Sequence, residues 1–143
     1  MANRIVLNET SYHGKGAIQE IAGEVTRRGF RKAFVCSGPT LYKHGVTKKV
    51  TDVLEQAGCP YEVYTNIKEN PTIENVQDGV KAYKASGADF IVAFGGGSPM
   101  DVAKAVGVVA KYGGSITEYE GAHKVPGKII PLVALPTTAG TGS

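Results

Sequence analysis

The sequence is poor in cysteine, in long apolar runs and in excess charge of either sign. Its 143 residues include two cysteines, and we expect no disulfide between them, which predicts a reducing, cytoplasmic environment. No apolar run is long enough to cross a membrane, and the N-terminus lacks the apolar segment typical of a signal peptide. The 16 basic and 13 acidic residues give a net charge of +3, too small and too scattered for a nucleic-acid surface. We therefore expect neither a membrane nor a nucleic acid as a partner.

Histidines at metal-ligand spacing are also lacking. His13, His44 and His123 are isolated, with no histidine or carboxylate at the spacing of a metal site. We expect each of them on the surface or in a loop, and residues 1–143 are predicted to contain no metal ligand.

What the sequence does contain is an alternation of strand and helix patterns that is rich in glycine. The length suits one domain with a substantial core, and the 19 glycines suit an α/β fold with many tight turns. The alternation predicts a Rossmann-like, doubly wound parallel sheet, in a single domain that spans residues 1–143. The expected strands are 4–7, 32–36, 61–64, 90–94 and 132–135, and the expected helices end at Gly29, Gly58, Gly87 and about Val109.

One strand–turn–helix stretch carries the clearest functional signal. It consists of an apolar strand, a glycine turn and a helix start, namely Phe90–Phe94, Gly95-Gly96-Gly97 and Ser98-Pro99-Met100-Asp101. Ser98 and Asp101 match a Ser-x-x-Asp capping pattern, and Pro99 suits the first helical position. Because the backbone N–H groups at a helix N-terminus bind anions, the stretch predicts a phosphate cradle for a dinucleotide.

The same stretch can also be a plain connection, since it departs from the common nucleotide motifs. Met100 stands where G-x-G-x-x-G has its third glycine, no Gly-Lys-Ser/Thr follows, and the stretch does not lie on the first strand. Spacing alone therefore indicates an anion site of unstated ligand. Two further turns, Ser37-Gly38 and Thr137–Thr141, are expected at the same carboxyl edge of the sheet, where such folds bind ligands.

Two motifs together resemble the iron-containing (group III) alcohol dehydrogenases. They are Gly95-Gly96-Gly97-Ser98-Pro99-Met100-Asp101-Val102-Ala103-Lys104 and Ala134-Leu135-Pro136-Thr137-Thr138-Ala139-Gly140-Thr141-Gly142-Ser143. The opening residues 1–10 and Asn70-Pro71-Thr72 look most like the lactaldehyde reductase (1,2-propanediol oxidoreductase) branch. The resemblance implies an NAD(P)-binding, dehydroquinate synthase-like N-terminal domain of a homodimeric enzyme. That enzyme transfers hydride between NAD(P)H and a small aldehyde or alcohol.

In that family the C-terminal half is helical and holds Fe²⁺, sometimes Zn²⁺, through one aspartate and three histidines. The resemblance therefore implies that residues 1–143 lack the metal domain, contain no catalytic residue and are inactive by themselves. It also implies cofactor contacts. These are Gly97 and Ser98, with Gly96 beside them, for the pyrophosphate, Asp101 near the nicotinamide ribose, Asn70 in the cofactor cleft, and Thr137, Thr138 and Thr141 for the adenosine side.

The position after the second strand bears on cofactor choice. Many NAD-preferring relatives carry an aspartate there, whose carboxylate binds the ribose 2′-OH and repels a 2′-phosphate. This sequence has Gly38 instead, so NADP is admissible beside NAD, with Lys43 as a candidate positive partner.

The sequence is also compatible with two other functions. A glycerol dehydrogenase or dehydroquinate synthase relative would share the architecture, although Thr137-Thr138 and the ending Gly140-Thr141-Gly142-Ser143 favour the alcohol dehydrogenases. A stand-alone, non-catalytic nucleotide-binding module would share the cradle without the chemistry.

Overall fold

The computed structural model describes residues 9–11, 17–68, 72–95, 97–113 and 130–136. Within these ranges, strands alternate with helices. The strands are β1 (Glu9–Ser11), β2 (Ala33–Ser37), β3 (Tyr61–Tyr64), β4 (Phe90–Gly95) and β5 (Leu132–Pro136). The helices are α1 (Glu20–Arg28), α2 (Pro39–Lys43), α3 (Lys48–Gln56), α4 (Ile73–Ser86) and α5 (Gly97–Tyr112), with a 3-10 turn at Ala17–Gln19 before α1.

The five strands form one parallel sheet in the order β1-β5-β4-β2-β3. From β2 the chain first moves outward to β3 and then returns to β4 on the other side of β2. The carboxyl ends of β2 and β4 therefore form the switch point at which ligands bind in open α/β sheets. The predicted doubly wound parallel sheet is confirmed.

Two apolar clusters cover the two faces of the sheet. Along β4, Ile91 and Ala93 belong to one cluster, whereas Phe90, Val92 and Phe94 belong to the other. Helices α4 and α5 pack on the first face, and α1 and α3 pack on the second. Strands that are buried on both faces have continuous apolar sequences, as the run in β4 predicted.

Several helix ends follow the sequence signals. Gly29 and Gly87 end α1 and α4 in the left-handed conformation, with φ of 70° and 74°, which glycine adopts without steric cost. Thr72 caps α4, because its side-chain oxygen accepts the Asn75 N–H at 3.1 Å. Among the described residues, no helix is both long and apolar enough to span a bilayer.

Two observed features were not predicted. Strand β1 at Glu9–Ser11 pairs with β5, whereas the strand predicted at 4–7 lies outside the described residues and stays a prediction. The single helix predicted to end at Gly58 is two helices, α2 and α3, separated by a turn in which Gly45 has φ of 80°. The break turns Thr47 inward to Ser37, a contact that helical periodicity alone does not predict.

Candidate functional site

The ends of β2 and β4 lie side by side at the switch point. A Cβ placed on Gly95 would lie 3.8 Å from the backbone nitrogen of Gly38, and 3.1 Å from both Leu41 Cδ1 and Pro99 Cγ. Gly95 also has φ of +133°, a conformation that other residues rarely adopt. The backbone conformation therefore favours glycine at Gly95, and a Cβ there would also have to displace Leu41 and Pro99 by a few tenths of an ångström.

Helix α5 begins at this turn, two residues earlier than predicted. It starts at Gly97 and has no acidic residue in its first turn. The prediction that Ser98 caps the helix and Asp101 completes a capping pattern is therefore wrong. Gly97 enters the helix directly from the turn, so Ser98 lies inside the first turn and Asp101 lies beyond it, exposed. The residue before the helix, Gly96, is outside the described residues.

The start of α5 still has the properties of an anion site. The first turn of any α-helix leaves N–H groups that the helix itself does not use, and the helix dipole adds positive potential there. Pro99 has no N–H to offer, but its ring packs toward Gly95 and Gly38 and holds the helix start against both strand ends. The arrangement can hold a phosphate or pyrophosphate at the switch point.

No steric constraint requires glycine at position 38. Its φ and ψ of −62° and 142° suit any residue, and a Cβ there would make only an ordinary contact, 3.8 Å from Pro99 Cγ. It precedes α2 as the N-cap residue and supplies no side-chain cap. A side chain at this position would lie at the switch point. With glycine there, residue 38 places no charged or polar side-chain group in the site.

Two polar residues lie beneath this loop, namely Ser37, which the sequence placed at this edge, and Thr47, which it did not. Ser37 Oγ and Thr47 Oγ1 are 2.6 Å apart, and both residues are almost fully buried. Their hydrogen bond ties the end of β2 to the start of α3 and closes the base of the loop that carries Gly38 and α2. The only sequence signal for it is a pair of hydroxyl residues at the ends of apolar segments.

The thiol next to this site belongs to the core. Cys36 is fully buried, and burial raises the pKa of its thiol above the ordinary value. A thiol that stays protonated is a poor nucleophile. Cys36 is therefore a small core residue.

The remaining predicted site residues divide between described and undescribed parts of the chain. Gly38, Gly97, Ser98 and Asp101 are described and lie at or next to the carboxyl edge of the sheet. Asn70, Gly96, Thr137, Thr138 and Thr141 lie outside the described residues. Strand β5 ends at Pro136, directly opposite Gly95, so β2, β4 and β5 all end at one edge.

Within the described residues, the switch point contains no metal-ligand cluster, and a groove beside β3 lies away from it. In the described ranges no three His, Cys, Asp or Glu side chains are grouped to hold a metal, and His44 is exposed in the turn after α2. His13 and His123 lie outside the described residues. A groove of about 540 Å³ lies between α3 and the edge strand β3, lined by residues such as Tyr42 and Tyr61. It excludes the start of α5, so it is not the dinucleotide site.

Comparison with known proteins decides the family. The model of the iron-containing alcohol dehydrogenases matches residues 8–143, which is nearly the whole chain. The chain belongs to the iron-containing alcohol dehydrogenase family. The family assignment made from the paired motifs is confirmed, and so is membership in a family of oxidoreductases.

Relatives within this family match along the same length. Lactaldehyde reductase from Escherichia coli (strain K12) is 41% identical over 145 residues, covering 100% of this chain and 38% of that protein. The crystal structure of 1,3-propanediol oxidoreductase matches with a TM-score of 0.86 at 32% identity, covering 96% of this chain and 36% of that chain. Sulfoacetaldehyde reductase from Bifidobacterium kashiwanohense, solved in complex with NAD⁺, matches with a TM-score of 0.80 at 31% identity, and again covers 96% and 36%. The chain thus spans little more than a third of these relatives, and corresponds to their N-terminal part.

Proposed function

We propose that residues 1–143 bind the dinucleotide cofactor of an alcohol dehydrogenase that interconverts small alcohols and aldehydes. The observation that carries the proposal is the convergence of Gly95, Gly38 and the start of α5 at the switch point of the sheet. A related structure in complex with NAD⁺ supports a dinucleotide as the ligand.

In this proposal the described residues bind and orient the cofactor. The first turn of α5 faces the pyrophosphate, because its N–H groups and dipole favour negative charge. Gly95 lets the backbone of β4 end without a side chain between the phosphates and the helix. The cofactor itself supplies the hydride, and the role of the domain is to hold the nicotinamide in one orientation.

The described residues do not provide a ligand group for the Fe²⁺ or Zn²⁺ that the resemblance implies. We therefore assign no step of the reaction to a metal within these ranges. The proposed metal ligands belong to the further length that the relatives have beyond the matched part.

We extend the proposal to NADP as well as NAD. Gly38 lies beside Gly95 at the switch point and carries no carboxylate that would repel a 2′-phosphate. Lys43, exposed in the last turn of α2, is the candidate cation for that phosphate. A cytoplasmic location is supported by two free, buried cysteines, and a homodimer rests on the resemblance.

Titration of the 143-residue chain with NADH and NADPH tests the proposal, with nicotinamide fluorescence or calorimetry as the readout. We expect saturable binding of a dinucleotide. Ser98→Asp should weaken it about tenfold, because a carboxylate in the first turn of α5 repels the phosphates. Ser98→Asn, similar in size but neutral, is the matched control and should bind nearly as the unmodified chain does.

An aspartate in the first turn of a helix is itself stabilising, so weakened binding by Ser98→Asp would not reflect unfolding. Failure of the unmodified chain to bind either dinucleotide would contradict the proposal. Equal dinucleotide affinities for the aspartate and asparagine variants would show that the phosphates do not bind at the start of α5.

A further inference from the structure

The Gly38 loop, residues 38–46, connects β2 to α3 and contains α2. At its two ends, the buried hydroxyls of Ser37 and Thr47 lie 2.6 Å apart, and Thr47 is 1% exposed. Ser37 Oγ also donates to the Gly38 carbonyl at 3.3 Å. Because a hydroxyl has one proton to donate, the proton of the short bond then comes from Thr47. Hydrogen bonds therefore lead from Thr47 through Ser37 to Gly38 at the switch point.

The hydroxyl of Thr47 serves the Gly38 loop rather than its own helix. Thr47 is the N-cap residue of α3, a position where a threonine side chain commonly accepts a backbone N–H of the first turn. Within the part of the chain that the structure describes, its side chain makes no capping bond to α3, and its hydroxyl is bonded to Ser37 instead. Removal of that hydroxyl would therefore cost α3 no cap.

Backbone hydrogen bonds join α2 to both ends of the Gly38 loop. The N–H of Tyr42 donates to the Gly38 carbonyl at 3.1 Å. The N–H groups of Val46 and Thr47 donate to the Leu41 carbonyl at 2.9 and 3.4 Å. A displacement of Thr47 would therefore reach Leu41 and α2.

The Gly38 loop lies against the glycine turn and the start of α5. A Cβ placed on Gly95 would lie 3.1 Å from Leu41 Cδ1 and 3.8 Å from the Gly38 nitrogen. A Cβ placed on Gly38 would lie 3.8 Å from the ring of Pro99, which is in the first turn of α5. Leu41 also packs on the apolar cluster under α1 and α3. The position of the loop therefore sets how closely the end of β2 approaches the start of α5.

We propose that Thr47 is a positioning residue for dinucleotide binding, whose hydroxyl holds the Gly38 loop against the start of α5 through Ser37. The inference rests on the proposed dinucleotide site. A loop held in place before the dinucleotide arrives spares the dinucleotide the entropic cost of ordering it. The bond is buried, so loss of one hydroxyl leaves the other without a partner that water could replace.

The test compares Thr47→Val, which keeps the shape of the side chain and removes the hydroxyl, with Thr47→Ser, which keeps the hydroxyl. Thr51→Val is the matched control, because Thr51 is also a buried threonine and its Oγ1 donates to the Lys48 carbonyl within α3. Dissociation constants for NADH and NADPH are measured at a temperature where each variant is folded. Amide hydrogen exchange of Tyr42 and Val46 is measured without cofactor.

We expect Thr47→Val to weaken the binding of both dinucleotides about tenfold and to deprotect the two amides. Thr47→Ser should bind nearly as the unmodified chain does, although it loses a buried methyl group. Thr51→Val should change neither readout. This pattern would separate the hydroxyl of Thr47 from a general loss of packing or stability.

Ser37→Ala removes the other partner of the same bond and should weaken binding by a similar factor. It decides the question if Thr47→Val does not fold. Because the two substitutions break one shared bond, the double variant should bind about as weakly as Ser37→Ala alone.

Three results would overturn the positioning role and leave the dinucleotide site standing. They are unchanged affinity in either Thr47→Val or Ser37→Ala, equal losses in Thr47→Ser and Thr47→Val, and a loss of the same size in Thr51→Val. Absence of binding by the unmodified chain would overturn both the positioning role and the site.

Discussion

Gly95 and Gly38 lie next to each other at the ends of β4 and β2, yet different physical reasons apply to them. Gly95 has a φ that disfavours other residues, and a Cβ there would make tight contacts of 3.1 Å with Leu41 and Pro99. Gly38 has an ordinary extended backbone and room for a side chain. A substitution at Gly95 therefore disturbs the backbone of the site, whereas one at Gly38 changes its chemistry alone.

Gly38→Asp is expected to weaken NADPH binding and to leave NADH binding in place. Two like charges 4 Å apart repel by roughly 1 kcal/mol in water and about 4 kcal/mol near a protein surface, so the loss should be about fivefold or more. The measurement is a titration of each variant with both cofactors.

The control for this prediction is Gly38→Asn, which has the same shape without the charge. Aspartate and asparagine both favour the N-cap position that Gly38 occupies before α2, so neither variant should lose stability. Undiminished NADPH binding by the aspartate variant would show that residue 38 does not face a 2′-phosphate.

At the scale of elements, α4 and α5 pack closely on each other on one face of the sheet. Gly79 is buried in α4 and faces Val106 of α5, which is fully buried. The missing side chain lets the two helices approach closely. Gly23 in α1 differs, because it is exposed and the nearest atom to an added Cβ is the flexible end of Arg27, 3.8 Å away.

Gly79→Ala and Gly23→Ala should therefore change the free energy of unfolding in opposite directions. Both gain about 1 kcal/mol from helix propensity. At Gly79 the added methyl overpacks the helix contact, which typically costs about 1–3 kcal/mol and should leave a net loss. Urea unfolding of the two variants measures the difference. A stabilised Gly79→Ala would mean that α4 and α5 do not pack as closely as described.

The elements that sequence reasoning misplaced are those formed by contacts with distant parts of the chain. Residues Glu9–Ser11 show no apolar alternation, and they form a strand because the edge of β5 pairs with them. The break between α2 and α3 allows the buried hydrogen bond between Ser37 and Thr47. The sequence around one residue of such a contact does not indicate which distant residue it will meet.

At the scale of the whole molecule, the sheet joins two apolar layers that depend on the same strands. In β5, Leu132 belongs to the cluster under α4 and α5, and Leu135 belongs to the cluster under α1 and α3. Both side chains are at most 2% exposed. Loss of packing in either layer removes support from the sheet that the other layer needs.

We expect Leu132→Ala and Leu135→Ala each to lower the stability of the chain by about 2–5 kcal/mol, the usual cost of a buried leucine. Each variant should still unfold in a single transition. The measurement is thermal or urea unfolding followed by far-UV circular dichroism and by tyrosine fluorescence. Separate transitions for the two probes would mean that the layers fold independently.

The sequence by itself determined what depends on near neighbours. The glycines that end α1 and α4, the cap at Thr72, the apolar run of β4 and the paired family motifs depend on neighbouring residues, so local patterns were enough. Only the tertiary structure decided the strand order, the start of α5 at Gly97 and the contact between Gly38 and Gly95. These depend on which strand ends meet across the sheet and how closely helices pack on it, and such contacts join residues far apart in the chain. The motif predicts an anion site, whereas the geometry of that site is set by packing.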